Sequence, residues 1–152
     1  MDYKSPHILI VESRFYPDIA DELVRGATAA LDEGHVTYKR HSVPGVFEIP
    51  AAIKYAIESP KPSQSKFDGY VALGCVIRGE TTHYDYVCSE SARALQDLAC
   101  KFTLALGYGI LTVENADQAW VRAGVDRHDK GGSAARTCLE MIDLKFKFGL
   151  YP

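Results

Sequence analysis

The chain has 152 residues, 47% of them hydrophobic, enough to bury one continuous core without disulfide or metal staples. A net charge of −3 supplies no clustered cationic surface for phosphate backbones, which sets nucleic acid aside as a partner. No apolar run reaches bilayer-spanning length, and Met1 to Pro6 lacks the basic and apolar regions of a signal peptide; the expectation is a cytoplasmic chain with no membrane partner.

His7 to Glu12 (HILIVE) is a short β-branched run, and Pro17 and Asp18 after it are helix-start residues. Ile19, Leu23, Ala27, Ala30 and Leu31 then recur at helical spacing until Gly34 stops the pattern. Val36 to Val43 reads as a second strand, closed by Pro44 and Gly45, and Glu48 to Glu58 repeats the helical spacing through Ile49, Ala52, Ile53, Ala56 and Ile57. Ser59 to Ser65 (SPKPSQS) has too little apolar content for a core and is expected to be a surface connection.

Tyr70 to Ile77 is nearly all apolar, as a central parallel strand covered on both faces requires. Tyr84 to Leu98 aligns Tyr84, Val87, Ser91, Ala94, Leu95 and Leu98 on one helical face. Gly109 to Val113 is a fourth strand and Asp117 to Ala123 a short helix. A last helix over Ser133 to Phe148 presents Ala135, Cys138, Leu139, Ile142 and Phe146 before Gly149. Strands alternating with helices demand crossovers between parallel neighbours, so the expected fold is α/β: a single domain over 1–152, a three-layer α/β/α sandwich around a four-stranded parallel sheet.

Ligands in such folds gather beyond the carboxyl ends of the strands, here at Ser13 to Tyr16, Pro44 to Glu48, Arg78 to His83 and Glu114 to Asp117. Gly74 to Thr81 (GCVIRGET) has the spacing of a phosphate-binding loop with Glu80 in place of its lysine, which argues against nucleoside triphosphate chemistry. The strand-to-helix turn still offers free amides and the hydroxyls of Thr81 and Thr82 to a single phosphate. His83 follows directly, and a histidine is the side chain suited to proton transfer near neutrality; it is equally readable as a polar helix-start residue.

Phe15 is either a ring exposed for stacking or a core phenylalanine, and Glu48, at a helix start where a carboxylate favours the macrodipole, reads locally as a cap. Arg122 and Lys130 read by themselves as solvated cations. His35, His41 and His128 lack metal-ligand spacing, so no metal site is expected. Cys75, Cys88, Cys100 and Cys138 form no CxxC pair and are expected as reduced core thiols.

Taken together, VPGVFEIP at Val43 to Pro50, GCVIRGETTHYDYVCSES at Gly74 to Ser91, GILTVENADQAWVRAG at Gly109 to Gly124 and KGGSAA at Lys130 to Ala135 resemble the lumazine synthase family. The resemblance runs from Ile8 to about Phe148 and implies a flavodoxin-like fold. It also implies condensation of 5-amino-6-(D-ribitylamino)uracil with 3,4-dihydroxy-2-butanone 4-phosphate in riboflavin biosynthesis, without metal, nucleotide or flavin cofactor. Phe15 would stack on the uracil ring, while Val46, Phe47 and Glu48 would hold the ribityl chain. Cys75, Val76 and Ile77 would line the pyrimidine site, and Glu80, through its backbone, with Thr81 would meet the phosphate.

By the same resemblance His83 would transfer protons. Arg122 would supply positive charge to the phosphate and Tyr108 would close over the ring, both from a neighbouring subunit. Phenylalanine is common where this chain has Tyr108, and Lys130 is family-like and would be a further substrate-binding residue. The implied partner is a second copy of the chain: a homopentamer with sites at its interfaces, favoured over a larger shell because little chain precedes the first strand. A flavin- or lumazine-binding scaffold without catalysis is the alternative, and a flavodoxin-like electron carrier a more distant one.

Overall fold

The apolar runs at His7–Ser13 (β1) and Gly69–Ile77 (β3) take the two central places in a parallel sheet, where both faces are covered. The polar Thr37–Val43 (β2) and the partly exposed Leu106–Val113 (β4) form its edges, giving the order β2-β1-β3-β4. The computed structural model describes residues 4–152. Its helices are α1 (Pro17–Glu33), α2 (Ile49–Glu58), the four-residue α3 (Pro62–Ser65), α4 (His83–Phe102), α5 (Ala116–Ala123) and α6 (Lys130–Lys147).

Because successive strand residues face opposite ways, β1 splits its side chains between two cores. Ile8 and Ile10 join Leu23 of α1, Ala119 of α5 and Ala135 and Ile142 of α6 on one side of the sheet. Leu9 and Val11 join Ile49 and Ile53 of α2 and Val87 and Leu95 of α4 on the other. The result is the expected three-layer sandwich, with helices on both faces of four parallel strands.

The helix ends follow local chemistry. Pro17 opens α1, the Asn115 side chain accepts a hydrogen bond from the Gln118 amide at the start of α5, and Asp129 does the same for Gly132 in α6. The backbone of α6 comes so close to α1 that a Cβ built on Gly131 would stand 2.0 Å from the carbonyl oxygen of Leu23.

Several boundaries and burials differ from expectation. β4 begins at Leu106, not Gly109, and α6 at Lys130, not Ser133. Ser59 to Ser65 is the expected surface connection, and the short α3 lies within it. Cys75 and Cys138 are buried, but Cys88 is only half-buried and Cys100 is exposed. The reason is that α4 fully buries only Val87, Ser91 and Leu95, a stripe too narrow to include Cys100. On α6 full burial stops at Ile142, so Phe146, one turn later, is exposed rather than in the core.

The buried thiols carry a pH consequence. Desolvation pushes both Cys75 and Cys138 up to about 12 from an ordinary 9.0. A folded-state value above the unfolded one stabilises the fold below the unfolded value and is lost as pH rises between the two. Thermal unfolding midpoints are therefore expected to fall between pH 9.0 and about 12, with a shallower fall in Cys138→Ala. Equal slopes for wild type and variant would remove this thiol from the alkaline limb.

Candidate active site

At the carboxyl end of the sheet, the loops after β1, β2 and β3 surround a cavity of about 520 Å³. Phe15 and Tyr16 come from the first loop, and Val46, Phe47 and Glu48 from the second. Cys75, Val76 and Ile77 form the strand wall; Thr81 and His83 lie at the entrance to α4. The lining is largely apolar with a few converging polar groups, as a small-molecule site requires.

Phe15 is 67% exposed, which settles its open reading against the core. Among the described residues its one ring contact is with Tyr16, edge-on, with centroids 5.0 Å apart, so a broad face remains for a planar ligand. Glu48 occupies the residue before α2 yet makes no side-chain capping bond, and its carboxylate folds back beside Gly45. The carboxylate therefore makes no hydrogen-bonded cap on α2, where Pro50 in the first turn lacks an amide, and Glu48 is among the residues that line the cavity. Burial holds the Cys75 thiol protonated up to about 12, which makes it an apolar wall rather than a nucleophile.

The turn into α4 is organised by its own backbone and by Arg78. The His83 amide donates to Thr81 Oγ at 3.3 Å, leaving the hydroxyl hydrogen of Thr81 to donate elsewhere. Arg78 lies over the Tyr84 ring, 4.3 Å from its centroid, and donates to Glu114 at 2.9 Å and Asp85 at 3.3 Å. One guanidinium thereby ties the end of β3 to the first turn of α4 and to the loop after β4. His83 is exposed at the first position of α4.

Glu80, Tyr108, Arg122 and Lys130 stand outside this lining. Glu80 is exposed between Gly79 and Thr81, which do line the cavity. Tyr108 is 44% exposed on the edge strand β4. Arg122, in the last turn of α5, donates to the Gln118 carbonyl at 3.0 Å and makes no ion pair among the described residues. Lys130 is exposed at the start of α6.

Sequence reasoning missed Tyr16, and it assigned Tyr84 and Val87 to helix packing although both also border the cavity. An aromatic pair at Phe15 and Tyr16 directly after a strand was the available signal. Among the described residues no group of three or more His, Cys, Asp or Glu side chains is arranged to hold a metal ion. No helix among them is long and apolar enough to cross a membrane.

The family model for 6,7-dimethyl-8-ribityllumazine synthase matches residues 5–145. The chain is 57% identical over 146 residues to 6,7-dimethyl-8-ribityllumazine synthase 1 of Rhizobium meliloti (strain 1021), covering 96% of this chain and 95% of that protein. It is 56% identical over 144 residues to 6,7-dimethyl-8-ribityllumazine synthase of Agrobacterium fabrum, covering 95% and 97% of the two chains. The protein of that name from Bartonella tribocorum is 53% identical over 146 residues, covering 96% and 94%. With a flavodoxin-like sheet, a cavity at its carboxyl end and similarity along nearly its whole length, this chain belongs to the 6,7-dimethyl-8-ribityllumazine synthase family.

Proposed function

We propose that the chain condenses 5-amino-6-(D-ribitylamino)uracil with 3,4-dihydroxy-2-butanone 4-phosphate to give the lumazine, inorganic phosphate and two waters. The observation that carries this reading is the convergence of Phe15, Glu48, Thr81 and His83 on one cavity. Phe15 stacks on the uracil, Val46, Phe47 and Glu48 hold the ribityl chain, and the β3 backbone at Cys75, Val76 and Ile77 orients the pyrimidine edge. The amide of Glu80 and the hydroxyl of Thr81 receive the phosphate at the turn into α4.

The primary amine attacks the ketone, water leaves to form an imine, phosphate is eliminated, and the ribityl-bearing nitrogen closes the ring with loss of the second water. His83 moves protons between these steps. Holding the two substrates in register supplies most of the acceleration, on the order of several kcal/mol. Mixing the chain with both substrates tests the reading: lumazine absorbance and free phosphate should rise together, and binding without either would overturn it.

The active form in this reading is a homopentamer in the cytoplasm. The exposure of Tyr108 on an edge strand and the free guanidinium edge of Arg122 support completion of each site by a neighbouring copy, and the unpaired cysteines suit a reducing compartment. Arg122→Ala is expected to raise KM for the phosphate-bearing substrate roughly ten- to a hundredfold, since a charge-assisted hydrogen bond is lost. The KM for the ribitylaminouracil should stay within about twofold; equal weakening of both would assign Arg122 to folding or assembly instead.

A further inference from the structure

We propose that Glu12 and Arg14 form a clamp that positions the Phe15 ring, so that they set affinity for the planar substrate without touching it. The proposal rests on the reading that Phe15 stacks on the pyrimidine. Ile8 and Ile10 put aliphatic groups on the α1 side of β1, and the next residue on that face is a carboxylate. The Glu12 side chain is 3% exposed. Arg40 of β2 grips it through two nitrogens, Nε to one carboxylate oxygen at 2.9 Å and Nη2 to the other at 2.8 Å.

Arg14 completes the arrangement. Its Nη1 donates to Glu12 at 2.9 Å and its Nη2 to Asp21 of α1 at 2.5 Å, so one side chain spans both ends of the loop that carries Phe15. Up to Phe15 the loop's own bonds are long, the Arg14 amide lying 3.4 Å from the Val43 carbonyl and the Phe15 amide 3.5 Å from Ser13 Oγ, and only after it does the Tyr16 carbonyl accept from Ala20 at 2.9 Å. Phe15 has little packing of its own beyond its edge contact with Tyr16. The side-chain bridge is therefore the stronger constraint on where the ring stands.

The energetics favour a positioning role over a stabilising one. An aliphatic residue at position 12 would extend the Ile8 and Ile10 face, and the arginines it would release, Arg14 and Arg40, are 33% and 45% exposed, so neither would be left as a buried unpaired charge. What the carboxylate provides is a fixed anchor for the Arg14 guanidinium, since the outer partner Asp21 is 66% exposed and screened by solvent.

The test is calorimetric titration of the assembled protein with 5-amino-6-(D-ribitylamino)uracil alone, together with KM for both substrates and thermal midpoints. Glu12→Gln and Arg14→Met should each weaken pyrimidine binding roughly three- to tenfold, the ordering now being supplied on binding. KM for the phosphate-bearing substrate should stay within about twofold, and the double variant should bind no more weakly than the worse single one. Arg14→Met leaves Glu12 paired with Arg40, so it decides the matter even where Glu12→Gln fails to fold. If Phe15→Ala binds normally, the stacking reading falls and this proposal with it. If Phe15→Ala weakens binding while Arg14→Met does not, the clamp alone is overturned, as it is by equal losses toward both substrates.

Discussion

His83→Ala is expected to lower kcat by roughly ten- to a thousandfold while both substrates still bind. The imidazole stands at the first residue of α4, on the rim of the cavity and beyond the apolar wall of Cys75, Val76 and Ile77. Its removal takes away a proton carrier but leaves the stacking face, the strand wall and the Thr81 hydroxyl in place. The residual rate reflects juxtaposition of the two substrates, which needs no acid or base. Saturating kinetics checks this, with binding measured separately; an unchanged kcat would take His83 out of the mechanism. The conservative variant His83→Gln should be as slow as alanine, because a side chain of similar polarity cannot carry the proton.

Gly131→Ala is expected to destabilise the fold by about 3 kcal/mol, lowering the thermal midpoint by roughly 6 to 12 °C for a domain of this size. A methyl group there would sit 2.0 Å from the Leu23 carbonyl oxygen, a backbone atom of α1 that no rotamer change can move. Relief requires α1 and α6 to separate, and that opens the core in which Leu23, Ala27, Ala135 and Cys138 meet. A thermal scan decides the point: a midpoint within about 2 °C of wild type would mean that the helices shift apart freely. The same contact explains much of the KGGSAA stretch in packing terms, since Gly131 faces α1 and the Gly132 amide is held by Asp129 at 3.2 Å.

Much of this architecture was legible because burial leaves a periodic trace. β1 and β3 read as apolar runs and α1 as a helical repeat, and each lies where its pattern pointed. β4 begins at Leu106, ahead of the Gly109 to Val113 run, and the missing side chain of Gly107 within it is a packing requirement: a Cβ there would stand 1.9 Å from the Ala134 carbonyl oxygen. Such a demand comes from α6, far along the chain, and leaves no local periodicity.

The site was legible unevenly. The strand-end loops follow from the topology, and Phe15, Val46, Glu48, Thr81 and His83 lie both on those loops and on the cavity lining, whereas Cys75 on the strand enters through the resemblance alone. Periodicity could not tell the exposed Phe15 from a core ring, nor reveal that Tyr84 serves both a helix face and a cavity wall. Arg122 carries no pattern of its own, and only resemblance singled it out. The Glu12, Arg14 and Arg40 cluster was invisible to sequence reading because it joins two strands and a loop through side chains alone.

Subunit complementation tests most directly whether a chemistry centred on His83 is completed by Arg122 of a neighbouring copy. His83→Ala and Arg122→Ala chains would be unfolded together, refolded as mixed rings and assayed at low concentration of the phosphate-bearing substrate. If the site is shared, about a quarter of the sites in an equal mixture pair an intact His83 with an intact Arg122 across an interface, so activity should rise well above either parent. Mixed rings no more active than their parents would contradict the account, because every intact combination would then have to lie within one chain.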